Sequence, residues 1–257
     1  MPGPLRIGSL YGHGFDRGQR ARLVGLGFRL RPQASVYVGS QLCHFLDFPT
    51  GPSVELIEVT DHSDYHSFVP PGMAPFCPGI SLVVGDGSPA ALDAYERELA
   101  SLGPYRLRVP YQPENEPGAP GWHYLNFGRP VVPGTFIWLT AFDQPKPAPV
   151  RETRHANGVL GVVGLLFDLR PASLDTLARL AGQPVAEGTL RIGEVNIAAT
   201  GGDCPPGHFP LRAVALRADD LDTFRAYGPT AQETRLMGRP ALRIETNPLA
   251  WDLLITA

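Results

Sequence analysis

The chain has 257 residues, 43% of them hydrophobic, and a formal charge of −3 from 22 basic and 25 acidic residues. That length suits one large domain or two ordinary ones with a core each, and the mixed, nearly balanced charge leaves no basic stripe for phosphates, so nucleic acid is not an expected partner. Three cysteines, Cys43, Cys77 and Cys204, are odd in number and widely spaced, which argues against a disulfide framework and a paired-cysteine zinc site. The opening MPGPLRIGSLYGHGF lacks the pattern of a secretory signal, and no run of about 18 apolar residues occurs, so a cytoplasmic protein without a membrane span is expected. Glycine and proline are spread between apolar runs, as in a chain of many short elements joined by tight turns.

Residues 5–10 read as a strand. Asp16 then reads as the cap of a weakly amphipathic helix with Leu23, Val24 and Leu26 on its apolar side, because a carboxylate there accepts from unpaired first-turn amides. Three runs rich in β-formers follow at 34–38, 41–48 and 53–59, giving the order β-α-β-β-β. The order restarts with a strand at 79–84 and a helix over 89–102, capped by Ser88, in which Leu92, Tyr95, Leu99 and Leu102 recur at helical spacing. Strands at 105–109, 122–127 and 135–142 complete that unit.

QPKPAPVRE, residues 144–152, alternates prolines with polar residues as an extended linker does, which divides the chain into units of residues 1–143 and 153–257. Beyond it a strand is expected at 158–167, a helix at 173–181 and one or two strands within 189–199. A fourth unit has a strand at 211–216, a short helix near 221–227 and strands at 233–237, 241–245 and 251–256. An order recurring at about 50 to 70 residues marks a repeat architecture. The alternative is an α+β sandwich without internal symmetry.

Motifs for familiar chemistries are absent. GHGFDRG is one residue too long for the dinucleotide loop, and there is no G-x-S-x-G, H-E-x-x-H or phosphate-binding G-x-x-x-x-G-K-[ST]. Cys43 and His44 are strand neighbours and point to opposite faces, so Cys43 reads as a small buried residue and not as a nucleophile. TDHSDYHSF carries Asp61, His62, Asp64 and His66, a solvated loop in the plain reading and a metal site in the alternative. His155 reads as an exposed loop histidine, or as a residue between the two halves. Trp122, Tyr124 and Trp138 fall on predicted strands, either in the core or lining a pocket with Phe45 and Glu55.

GSQLCHFLDFPTGPSVELIEV resembles the third and fourth strands of glyoxalase-like modules, PGTFIWLTAF the last strand of a second module, and RHANGVLGVVGLLFDL the segment that opens the C-terminal half of members with paired modules. The family so resembled is the vicinal oxygen chelate superfamily of glyoxalases, dioxygenases and bleomycin-resistance proteins. The resemblance implies an α+β fold of βαβββ modules pairing into open, mixed-sheet barrels, with two modules in each half. It implies a small-molecule ligand on a concave face, with one divalent metal (Zn, Fe, Mn or Ni) or none. Metal ligands would sit on the first and fourth strands of each module. Glu55 fills one such position, as ligand or general base. The other three positions offer no imidazole or carboxylate, only Ser81 and Thr140 in the second module. His44 and His123 are the candidates to complete a rearranged site with Glu55. The implied activity is a lyase, isomerase or dioxygenase acting on a small oxygenated molecule in the N-terminal cleft; the alternative is a metal-free binding protein, in either case a monomer or homodimer.

Overall fold

Each strand sends alternate side chains to opposite faces, and in SVELIEV that alternation separates two environments. Val54 and Leu56 enter the large core with the helices, while Ile57 and Val59 join a separate cluster with Cys43 and Phe45. The same division runs through the whole computed structural model. It describes residues 3–13, 15–31, 35–37, 41–60, 79–109, 121–128, 130–144, 154–202, 204, 210–236, 238–245 and 251–257.

The first unit comprises β1 (Leu5–His13), α1 (Arg17–Gly25), β2 (Ser35–Tyr37), β3 (Gln41–Leu46) and β4 (Ser53–Val59). Asp16 caps α1 in a reciprocal box with Gln19: each side chain meets the other's backbone N–H at 2.8 Å. Leu23 and Leu26 are buried, but Val24 is 54% exposed. At 100° per residue Leu23 and Leu26 share a stripe that Val24 leaves, which corrects its expected place on the apolar side.

The second unit comprises β5 (Gly79–Val84), α2 (Pro89–Glu98), β6 (Pro104–Val109), β7 (Trp122–Phe127) and β8 (Phe136–Phe142). Here α2 stops short of the expected end and gives way to a 3-10 turn at Ala100–Leu102, closed by Gly103 in the left-handed conformation. Ser88 holds the N-cap position without a side-chain cap bond; Pro89 takes the first helical place, where no N–H is needed.

The third and fourth units repeat the order as β9 (Val159–Phe167), α3 (Pro171–Ala181), β10 (Val185–Ala186), β11 (Thr189–Ile192), β12 (Val195–Ala199), then β13 (Leu211–Ala218), α4 (Leu221–Tyr227), β14 (Gln232–Leu236), β15 (Arg239–Ile244) and β16 (Asp252–Thr256).

The result is α+β, with two open eight-stranded sheets ordered β2-β3-β4-β1-β5-β8-β7-β6 and β10-β11-β12-β9-β13-β16-β15-β14. The two orders are identical after a shift of eight strands. In each, the first and fourth strands of a module pair in parallel, and the two modules join through their antiparallel first strands. The α1–α4 side of both sheets forms one continuous core. The sheets divide the chain between Phe142 and Val159, and residues 145–153, most of the expected linker, lie outside the described residues.

The halves also meet through polar contacts. Thr50 N–H donates to the Leu160 carbonyl at 3.0 Å, and Asn157 Nδ2 donates to the Leu26 carbonyl at 2.8 Å. Gly161 is required at this seam, since a Cβ there would lie 2.3 Å from the Thr50 oxygen. Among the described residues no helix is long and apolar enough to cross a membrane.

Candidate functional site

The face of the first sheet turned away from the helices collects several aromatic residues and, among the described residues, the one buried carboxylate. Glu55 is 5% exposed and lies across from Phe45 on β3 and Tyr11 on β1. The Tyr11 hydroxyl and the Cys43 thiol both hydrogen-bond to it. Burial first, and the Glu55 charge second, push the Tyr11 phenol and the Cys43 thiol well above their ordinary values, so both stay protonated and act as donors. Burial, and after it the same charge, raise Tyr124.

Around this polar centre stand the rings. Tyr11 meets Trp138 edge to face at 4.7 Å; Tyr124 meets Trp138 at 5.8 Å and Trp122 at 6.3 Å. Trp138 reaches over Gly79, where a Cβ would stand 2.8 Å from the ring, so glycine keeps the place open for the indole. At the far side the Arg31 guanidinium lies 4.1 Å above Phe45 and is held by Asp47 at 2.9 and 3.0 Å.

The structure therefore brings together Glu55, Phe45, Trp122, Tyr124 and Trp138. It does not bring His44 or His123 to them. His44 pairs with Leu56 across β3 and β4, faces the helix side, packs on Phe15 at 4.9 Å and meets Glu58 at 3.3 Å. His123 alternates with Trp122 and Tyr124 on β7 and meets Asp143 at 2.7 Å, which together with Arg108 lowers the Asp143 carboxyl from its ordinary value. The set Glu55, His44 and His123 is corrected on this ground: strand alternation puts the two imidazoles on the opposite side of the sheet from the carboxylate.

The donors described around Glu55 do not make a set that fits a divalent ion. Transition metals in proteins take three or more ligands from His, carboxylate or thiolate, and among the described residues no three such groups lie together. At the second-module positions Ser81 and Thr140 hydrogen-bond each other at 2.7 Å, in mutual satisfaction. Asp61, His62, Asp64, His66 and His208 lie outside the described residues.

Tyr11, Asn126 and His155 add to the residues singled out from the sequence. Tyr11 shares parity with Leu5 and Ile7, which face the core, yet it faces Glu55. The register shifts between Ile7 and Ser9, so Gly8 is an extra residue that turns the rest of β1 over. A glycine inside an apolar strand was the available signal. Asn126 is 4% exposed, on the same face as Tyr124 and Trp122. His155, read either as an exposed loop residue or as one between the two halves, takes the second place and is 5% exposed; its Nδ1 accepts the Arg29 N–H at 2.9 Å and its ring packs against Phe28 and Phe48.

This architecture is the fold shared by a glyoxalase and by extradiol ring-cleaving dioxygenases. The homoprotocatechuate 2,3-dioxygenase of Brevibacterium fuscum, solved with 3,4-dihydroxyphenylacetate, matches with a TM-score of 0.62 at 12% identity, over 100% of this chain and 81% of the dioxygenase. The Mn(II)-bound glyoxalase of Novosphingobium aromaticivorans matches at 0.58 and 13%, over 98% and 81%. The 2,2',3-trihydroxybiphenyl 1,2-dioxygenase of Sphingomonas wittichii matches at 0.57 and 13%, over 98% and 90%. No family model matches the sequence, and no curated protein matches it.

Proposed function

We propose that the helix-free face of the first sheet is a metal-independent site for a small, planar, partly aromatic molecule. The observation that carries this reading is the convergence of Glu55 with Tyr11, Cys43 and Tyr124 between Phe45, Trp122 and Trp138, while the other ligand positions of the fold hold hydroxyls and rings. Such a lining, apolar and aromatic with a few polar groups, is the usual make-up of a small-molecule site. The hydroxylated aromatic compounds named for the two dioxygenases of the same fold support the choice of aromatic ligands.

The test is a titration of intrinsic tryptophan fluorescence with catechol and 3,4-dihydroxyphenylacetate, with and without chelator, alongside metal analysis of untagged protein by plasma mass spectrometry. Saturable quenching indifferent to chelator, without stoichiometric metal, is expected. Near-stoichiometric metal that disappears in Glu55→Ala would overturn the reading.

A second reading, proton-transfer catalysis of the lyase or isomerase kind, is favoured by one contact, the Tyr11 hydroxyl on the Glu55 carboxylate. A desolvated carboxylate with a positioned phenol can take and return a proton. In that case Glu55→Gln abolishes turnover while thermal unfolding hardly moves. Activity that survives the substitution counts against it.

A further inference from the structure

On this face Nε1 of Trp138 and Oδ1 of Asn126 are buried and have no hydrogen-bond partner among the described residues. Their residues are 3% and 4% exposed. Buried donors and acceptors are nearly always paired, and each one left unpaired carries a desolvation cost. One of these is a donor and the other an acceptor, and they are neighbours. β7 and β8 pair Tyr124 with Thr140 and Leu125 with Leu139, so the next step of that antiparallel register sets Asn126 opposite Trp138. Opposed side chains on one face stand about 4.5–5.5 Å apart at Cβ.

The placement of the indole sharpens the point. Its Cζ3 and Cη2 end lies over Gly79 against Tyr11. The pyrrole ring is joined to the Trp138 Cβ and so lies nearer its own strand, which β7 flanks on the side away from Gly79. Half-buried Tyr11, Tyr124 and Phe136 surround the pair with aromatic surface. The Glu55 charge, which already raises the Tyr11 and Tyr124 phenols, disfavours an anion here.

We propose that Trp138 and Asn126 form a subsite for the neutral carboxamide edge of an aromatic ligand, the Trp138 N–H donating to its carbonyl oxygen and Asn126 Oδ1 accepting from its N–H. The proposal rests on the reading of this face as a small-molecule site and goes beyond it by naming the functional group.

The experiment is calorimetric titration of the full chain with benzamide, acetophenone, benzoate and phenol, in wild type, Asn126→Leu and Trp138→Phe. Benzamide is expected to bind tightest of the three carbonyl compounds. Asn126→Leu should weaken benzamide about tenfold, the worth of one buried hydrogen bond, and leave acetophenone unchanged; Trp138→Phe should weaken both. Equal affinities for benzamide and acetophenone, or benzamide binding that ignores both substitutions, overturns the subsite and leaves the pair to an ordered water. Phenol binding that weakens in Glu55→Gln, without a preference for benzamide, overturns the subsite but leaves the face as a binding site. No binding by any of the four overturns both. Should Trp138→Phe fail to fold, the contrast between benzamide and acetophenone in wild type and Asn126→Leu decides the matter.

Discussion

On the first sheet the face away from the helices carries Tyr11, Glu55, Tyr124 and Trp138. On the second the corresponding face carries Ala213, Ala215 and Leu254, with Val163, Leu166 and Leu236 packed beside them. Where β1 and β4 set Tyr11 against Glu55, β9 and β12 set Leu166 against Ala198. The charged groups of the second face pair off, Arg243 with Asp252 at 2.6 Å. Strand order, parallel and antiparallel pairings and the helix-side core are the same in both sheets. The fold is thus specified from one face of each sheet, which leaves the other face free to differ, and among the described residues only the first has a buried carboxylate among rings.

If that division of labour is right, helix-side substitutions should behave alike in the two sheets. Leu56 on β4 and Ile197 on β12 are both 0% exposed within the shared core. Leu56→Ala and Ile197→Ala should each cost about 3 to 4 kcal/mol in chemical denaturation, from lost transfer energy plus the cavity left behind. Two well-separated transitions, with each variant moving only one, would show that the halves unfold independently in spite of their common core.

The seam between the halves gives the next effect. Burial holds the His155 imidazole down to about 4 from an ordinary 6.5. With Nδ1 accepting from Arg29, its proton sits on the buried, unpartnered Nε2. The unfolded chain binds a proton more readily, so this contribution to stability is complete above the unfolded value and is lost as pH falls from 6.5 toward about 4. A shift of that size corresponds to about 3 kcal/mol. Denaturation midpoints measured across that window should fall in wild type and flatten in His155→Gln; an equal slope in both would assign the acid sensitivity to other groups.

Much of this was legible in the sequence, for physical reasons that also mark where legibility ends. The repeated β-α-β-β-β order shows because helices and strands have different periods and glycine and proline punctuate them. Glu55 could be assigned to a face apart from Val54 and Leu56 because alternation is strict in an unbroken strand. Tyr11 could not by alternation alone, since one bulge at Gly8 reverses the parity of the rest of β1. His44 and His123 were open for a related reason: neither strand is uniformly apolar on one side, so the pattern did not fix which side faces Glu55. The choice between the two readings of His155 stayed open because its burial comes from the packing of two distant halves, which no local pattern records.

Glu55→Gln separates charge from shape on the first face. A neutral amide can still accept from Tyr11, so stability should change by only about 1 kcal/mol. The Tyr11 and Tyr124 phenols should titrate at lower pH by ultraviolet difference spectroscopy, though still above the ordinary range, because burial is the larger cause of their rise. Unmoved phenols would mean that the Glu55 charge is not felt at the ring cluster.

The smallest effect is the most discriminating between a binding face and a second core. Asn157 and Asn126 are both buried, at 0% and 4% exposure. Asn157 is satisfied, donating to the Leu26 carbonyl and accepting from Val159 N–H, whereas Asn126 Oδ1 has no partner. Replacing a satisfied polar group by leucine strands its partners, while replacing an unsatisfied one strands nothing and removes a desolvation cost. Asn157→Leu should therefore destabilise clearly, and Asn126→Leu should leave thermal unfolding within about 1 kcal/mol of wild type or raise it slightly. A residue kept at the expense of stability is what a site requires and a core does not. A substantial loss in Asn126→Leu would reverse that inference, since it would mean that the asparagine holds the sheet together.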